Sequence, residues 1–577
     1  MIKKIINILS ALIFLCTGVV QAQRETYNWI FGDKAGLTWN TTRDFTGSYV
    51  YGGAGVATLH GMPTNINSPL TAEQGCFTLS DRKGKLLMFS NGIKLYNANS
   101  GVMNSTDMVG NLDNAQSGIL FPYPGNPNKY VAVTTGRWSF DELGYTVIDM
   151  KGNSGLGSVE SINKTFPAGR MGKVGSSITT TRHANGVDYW VVAPGKGSPS
   201  YLNVWRFRPD GIDPPTSYKL PADVKADGSN GYIKFSPDGK YFVWATFNDS
   251  KLFFGNFDAE NGKFSNIRYI TGSTKINEFY GVEFSMSGKY MYVTKTTSAI
   301  VTEFLLYCFD FNALINSANP QDYYQNVMKR ISFPITGGMP AALQLGPDGR
   351  MYISGYPYFN SPASFYVIEN PEQFNNLKIY RLDNFLTGSP RHGLPSFAAS
   401  WFELKIDGET EFCLDKVERE YTLAISKGVG SEQLAYMQWN FGDGSDPIKD
   451  YNVTDGTIQS HMHAYNAAGN YTITVTSHKA NGDEITAMGR QTLAVKVLAP
   501  PSFTVSANDV CIGTSETMAV ENVTDDMTIN WYNSAGSTTP IGTGKVFSTG
   551  VQNTAGTITF YVEVINATGC SSQEEYL

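Results

Sequence analysis

A strand, a tight turn and a second strand occur three times in the middle of this chain. Tyr232–Thr246 reads YIKFSPDGKYFVWAT, Gly281–Thr294 reads GVEFSMSGKYMYVT, and Ala342–Ser354 reads ALQLGPDGRMYIS. The turn glycines Gly239, Gly288 and Gly349 stand 49 and 61 residues apart. In two copies a proline, Pro237 or Pro347, presets φ at the first corner, an Asp bonds its own backbone, and in all three a glycine takes the positive-φ position. The flanking apolar runs must then fold back on each other. One such hairpin cannot bury its apolar face alone, so several must stack about an axis. Repetition at roughly 40 to 60 residues, carried by hairpins, is the pattern of a β-propeller with one four-stranded sheet per repeat.

Length and composition set the frame around that repeat. At 577 residues the chain exceeds one core, because domains usually run ~100 to 250 residues. Glycine and aromatic residues are plentiful, charge is modest, and no long amphipathic helical pattern emerges, which favours an all-β chain. The net charge is −7, and −9 once the segment holding Lys3 and Lys4 is removed. No basic stripe is present to displace phosphate counterions, which argues against a nucleic-acid partner.

Taken in order, residues 1–22 read as a signal peptide: a basic start at Lys3 and Lys4, an apolar run from Ile5 to Val20, and a small-residue site ending at Ala22. The run is too short for a membrane anchor, and bulky Leu15 before Cys16 argues against lipidation there. No later stretch could span a membrane. From residue 23 to 404 strand signals continue. Hairpins are expected over Thr78–Phe89, from Ile119 to Val133, and from Ser177 to Val192, which with the three repeats makes six sheets. A seventh is expected from the two ends, Tyr27–Phe31 joining Phe397–Phe402, which would close the ring and hide edge strands. The reading is therefore a propeller of about seven blades, with an open stack of β-sandwiches as the competing arrangement.

The residues of this region also carry a resemblance. Asn28–Gly32 (NWIFG), Ala35–Leu37, Glu73–Asp81, Gly84–Leu87, Gln116 with Ser117, Pro124–Pro127, His183–Gly186 and Leu394–Phe397 resemble the amino-terminal propeller of large Bacteroidetes surface proteins. Those proteins are type IX secretion substrates that carry PKD repeats and are often labelled gliding-motility-associated. The resemblance departs at Tyr96, where the family pattern has Trp, and the family's terminal sorting module is not among these residues. It implies an exported protein and brings no catalytic residues with it.

Two smaller modules are expected next. Trp439–Ser445 (WNFGDGS), His463 to Tyr465 and Gly469–Val475 are similar to a PKD domain, placed at 405–498. Tyr471, Ile473 and Val475 alternate with Thr472 and Thr474, giving one buried and one wet face of a sandwich strand. Pro500 and Pro501 mark a stiff boundary. Beyond them Cys511, Trp531 and Cys570 have the order of an immunoglobulin-like sandwich over 499–577 and look like the Ig-like modules of the same exported proteins. That layout implies a Cys511–Cys570 disulfide worth about 2 to 4 kcal/mol. With only Ser571 to Leu577 left after it, the module is expected to lack its last strand or to belong to a longer product. Cys76 and Cys308 read as a second pair or as two buried thiols, and Cys413 as unpaired.

The search for catalytic motifs is mostly negative. The chain has no H-E-x-x-H, G-x-S-x-G, P-loop or G-x-G-x-x-G. His461 and His463 would share one strand face, so a metal site competes there with an ordinary PKD pattern. The Asp81 and Asp258 segments read as plain turns, so the expected cofactor list is empty, with calcium admitted only as a structural ion. Trp138, Trp190, Trp205, Trp244, Tyr290 and Tyr292 read chiefly as packing between blades. Tyr356, Tyr358 and Phe359, just after a blade strand, are the loop-borne binding candidates.

The expected function is a non-enzymatic surface binding or adhesion protein on the outer face of a Gram-negative outer membrane. Its propeller would be a recognition head for a surface glycan or protein ligand, and its PKD and Ig-like modules a stalk. Type IX secretion machinery would be a further partner if a sorting module follows. The alternative is a secreted carbohydrate-active enzyme with a propeller catalytic domain, marked by carboxylates converging at the mouth of the ring.

Overall fold

In the computed structural model the described residues are 24–81, 83–136, 143–167, 173–225, 230–273, 278–295, 303–334, 339–356, 364–401, 406–424, 435–451, 458–484 and 491–576. Residues 1–22, read as a leader, lie outside them. The chain divides into two compact units with the main boundary between Leu404 and Lys405. Both are almost entirely β. Among the described residues no helix is long and apolar enough to cross a membrane.

The three repeats fold as their turn chemistry dictates. Gly239, Gly288 and Gly349 have φ of 68°, 71° and 73°. In each turn the glycine N–H donates to the carbonyl three residues earlier, that of Ser236, Ser285 or Gly346, at 2.8, 2.8 and 3.0 Å. The apolar residue that ends each first strand takes the same place: Phe235 faces Phe242, Phe284 faces Met291, and Leu345 faces Met351. All three are buried, each contributing roughly 1.5 to 3 kcal/mol. Two of these hairpins extend into four-stranded antiparallel sheets, Ile233–Phe235 through Lys263–Thr271 and Phe279–Phe284 through Lys329–Pro334. The third, Met339–Leu345 through Ile379–Arg381, forms part of a larger sheet.

Apolar clusters bridge one sheet to the next. Ile119 and Phe121 pack with Tyr189 and Trp205, Trp190 and Val204 with Phe235 and Trp244, and Tyr292 and Leu306 with Leu343 and Met351. The expected packing role of Trp190, Trp205, Trp244 and Tyr292 is thus observed, while Trp138 lies outside the described residues. The result is a propeller-like unit of six sheets among the described residues.

Both ends of the first unit take part in closure, with partners other than those expected. Asn28–Phe31 pairs with the start of the long strand Ala35–Tyr51, whose far end pairs through Ser48 and Tyr49 with Arg381 and Tyr380 of the last repeat. Pro395–Ser396 instead adds in parallel to Cys76–Phe77 of the first sheet. Phe397 and the short 3-10 turn Ala399–Trp401 make no strand with Tyr27–Phe31. The N-terminal hairpin therefore attaches to the last sheet and the strand Pro395–Ser396 to the first, and among the described residues no separate seventh sheet arises from these two segments.

In the interior, Lys234, Glu283 and Gln344 each precede the apolar residue that ends the first strand of a repeat. Lys234 Nζ donates to Glu283 Oε2 at 3.0 Å and to Gln344 Oε1 at 2.6 Å, and Glu283 Oε2 also accepts from the Leu345 N–H at 3.3 Å. All three side chains are buried. One cation thus ties three successive repeats, with its charge opposed by a single carboxylate.

The second unit holds two two-sheeted modules. The first has sheets of three and five strands, with Tyr421, Trp439, Phe441, Tyr465 and Ile473 buried. The second has sheets of three and four strands around Trp531, Met518, Val562 and Val564. Ser571–Tyr576, in the short stretch left after Cys570, forms a strand that pairs along Phe560–Ile565.

The disulfide joins Cys413 to Cys570, and Cys511 is free and exposed. This corrects the expected Cys511–Cys570 pair and the expectation that Cys413 is unpaired. The reason lies at the junction of the modules. Glu411–Cys413 runs parallel to Lys496–Leu498, the last strand before the linker. Asn566, which begins the turn ending at Cys570, donates from Nδ2 to Ala499 O at 3.1 Å in that linker. Cys511 sits in the exposed loop before Ser515–Glu521, where its carbonyl accepts from the Thr514 N–H. Cys76 and Cys308 are two buried free thiols, each with its pKa raised by desolvation.

Candidate functional site

The segment Ser389–Ser396 runs past Asp33, Glu73, Tyr232 and Ala342, which belong to three different sheets of the first unit or to the residues leading into them. Backbone meets backbone here. A Cβ on Gly393 would lie 1.5 Å from Gln74 O, and one on Gly32 would lie 2.0 Å from Ser389 O. Within this close passage the His392 N–H donates to Glu73 O at 3.1 Å, and its carbonyl accepts from Ala342 N–H at 3.0 Å and Ser354 Oγ at 2.9 Å. The Leu394 N–H donates to Tyr232 Oη at 3.4 Å, and Tyr280 Oη donates to Gln74 Oε1 at 3.2 Å.

Tyr356 belongs to this site. It is the last residue of Met351–Tyr356 and stacks on the His392 ring, with centroids 3.8 Å apart and planes 12° apart. Tyr358 and Phe359, the other two binding candidates, lie outside the described residues. Burial lowers the His392 pKa to about 4, the Arg391 charge adding to the effect, so the imidazole is neutral at ordinary pH. Its Nδ1 is buried and has no hydrogen-bond partner. Arg391, at φ 50°, sets its guanidinium between Glu73 and Asp33, 3.5 and 3.7 Å away. The site combines a stacked aromatic face, a neutral imidazole and one cation between two carboxylates. That arrangement suits hydrogen bonding and ring stacking.

Sequence reasoning missed His392, Arg391, Glu73 and Asp33. They lie in irregular segments far apart in the chain, and only closure of the ring brings them together. The Lys234, Glu283 and Gln344 set did leave a signal, since aligning the three repeats puts a cation, an anion and an amide in one column.

The remaining sequence candidates resolve as ordinary structure. His461 Nε2 lies 2.9 Å from Asp450 Oδ2, and His463 Nε2 lies 2.8 Å from Asp443 Oδ2, so each imidazole has its own carboxylate. Among the described residues no group of three or more His, Cys, Asp or Glu is placed to hold a metal ion. Asp81 accepts from the N–H groups of Lys83 and Lys85, and Asp258 from those of Glu260 and Asn261, closing exposed turns. A buried carboxylate outside all sequence candidates, Glu278, accepts from Tyr307 Oη at 2.7 Å and from Tyr324 Oη and Ser273 Oγ.

Residues 499–576 match the family model of the Ig-like domain described as CHU_C associated. No curated protein matches the chain in sequence. Solved structures with a similar course include a candidate 6-phosphogluconolactonase of Bacteroides fragilis, at 12% identity and TM-score 0.38, covering 63% of this chain and 98% of its own. A second candidate from Bacteroides uniformis is at 15% identity and TM-score 0.36, covering 60% and 96%. The periplasmic gluconolactonase of Pseudomonas aeruginosa is at 11% identity and TM-score 0.31, covering 79% and 97%.

Proposed function

We propose that this chain is an exported cell-surface binding protein whose propeller-like unit is the recognition head, taking a hydroxyl-rich ligand of the glycan class at the Tyr356–His392 site. The observation that carries the reading is the buried, unpartnered Nδ1 of a neutral His392 whose ring already stacks on Tyr356. A buried polar atom left unpaired costs about 1 to 3 kcal/mol, which a ligand hydroxyl reaching it would recover. Aromatic faces also pack on the apolar faces of pyranose rings. Glu73 and Asp33 are close to one guanidinium, an arrangement that favours holding a ligand over acid–base work. The Ig-like domain at 499–576 supports an extracellular setting. Export through type IX machinery and a place on the outer face of the outer membrane belong to the same reading.

The test is binding and turnover by the mature full chain on a panel of polysaccharides. Retention without hydrolysis, weakened at least tenfold by Tyr356→Ala, is the expected result. Hydrolysis that disappears with Glu73→Gln or Asp33→Asn would replace this reading with that of a carbohydrate-active enzyme.

A further inference from the structure

We propose that the Cys413–Cys570 bridge is a tension bypass, carrying pulling force past both trailing modules so that neither can be drawn out while it is oxidised. The bridge closes a loop of 157 residues that contains nearly all of both modules, including the buried Trp439 and Trp531. Its two ends sit near the start of the second unit and just before the strand Ser571–Tyr576. Cys413 closes the third strand residue after Thr410, and Cys570 directly precedes the final described strand Ser571–Tyr576. The Cα atoms are 5.5 Å apart. Force applied between the first unit and any point beyond Cys570 therefore runs through one covalent link instead of through the sandwich hydrogen bonds.

This changes what the second unit can do mechanically. Two modules in series without such a bridge act as an extensible spacer, each unfolding in turn and lengthening the tether. With the bridge, only the strands outside it, Ile406–Asp407, Glu411–Cys413 and Ser571–Tyr576, can peel from their neighbours, and the path length stays nearly constant. The two modules also return the chain to the side on which it entered, so the unit does not work as a linear stalk. An oxidising exterior, where disulfides persist, is the setting in which the device operates.

Single-molecule pulling on the full chain tests this, with handles at Thr410 and after Leu577. For the oxidised protein the second unit should release only the flanking residues, roughly 4 nm. After reduction by a phosphine, which takes oxygen from water and leaves two thiols, a further gain of about 55 nm should appear. Cys413→Ser should give the same gain. Because that variant could fold poorly, the decisive comparison is the native chain before and after reduction. A gain of about 55 nm from the oxidised chain would overturn the proposal. So would a gain of about 35 nm, which would place the bridge at Cys511 instead.

Discussion

Lys234 and Glu283 occupy the same position in successive repeats and meet at 3.0 Å in the interior of the first unit, both nearly excluded from solvent. Isolating either charge there is costly, because a buried ion is tolerated only when paired and hydrogen-bonded. Glu283→Ala leaves the ammonium with Gln344 alone and should destabilise the unit by about 3 to 5 kcal/mol. The double variant Lys234→Met, Glu283→Gln removes the charge altogether and should restore most of that loss. Urea denaturation followed by tryptophan fluorescence reads both, and equal losses in the two variants would show that shape and not charge governs the site.

Two glycines should separate close approach from backbone strain. Gly393→Ala forces a Cβ against Gln74 O, in a segment held on both sides by the backbone of other strands, and should cost about 3 kcal/mol or more. Gly444, at φ 88°, has no atom within 4 Å of its added Cβ, so Gly444→Ala carries only the left-handed conformation, about 1 to 2 kcal/mol. Thermal unfolding of the two variants should differ in size and in which unit melts early.

The same closure explains what could be read in advance. The hairpin repeats were legible because the turn residues and the alternation around Phe235, Phe284 and Leu345 act within about fifteen residues. The order of closure was not, since Asn28–Phe31 and Pro395–Trp401 are both rich in apolar residues and nothing local distinguishes pairing with each other from the pairing observed, Asn28–Phe31 with Ala35–Thr38 and Pro395–Ser396 with Cys76–Phe77. The disulfide failed for a related reason. Cysteine order within one module suggested Cys511, whereas the parallel strand Glu411–Cys413 brings in a partner from the preceding module. At the candidate site only Tyr356 carried a local signal, being an aromatic just after a strand. His392 acquires its character from contact with Tyr356, Ala342 and Glu73, on three separate segments of the chain.

Acid should weaken the first unit through His392. Its folded pKa, about 4, lies below the ordinary 6.5, so the unfolded chain binds the proton more readily. The stability is fully present above pH 6.5 and is lost as the pH falls from there through 4, up to roughly 3 kcal/mol in all. Glu372, whose carboxyl is pushed up by burial, acts in the opposite sense near its own range. The diagnostic quantity is therefore the difference between native protein and His392→Gln across pH 7 to 4. The variant should show a flatter profile, and parallel profiles would remove the histidine from the account.

Thiol accessibility distinguishes the three free cysteines of the described residues in one experiment. Cys511 is exposed on a loop, whereas Cys76 and Cys308 are buried and their thiols are pushed up by desolvation, which suppresses the reactive thiolate. A chain beginning at Gln23 and kept oxidised should take up one maleimide when native, at Cys511. After denaturation without reductant it should take up three, while Cys413 and Cys570 stay unlabelled until a reductant is added. Peptide mapping of the labelled sites checks the assignment. Native labelling at Cys413 would mean that the two trailing modules are not clipped together, and labelling at Cys76 or Cys308 would mean that the sheets of the first unit part far enough to expose their buried thiols.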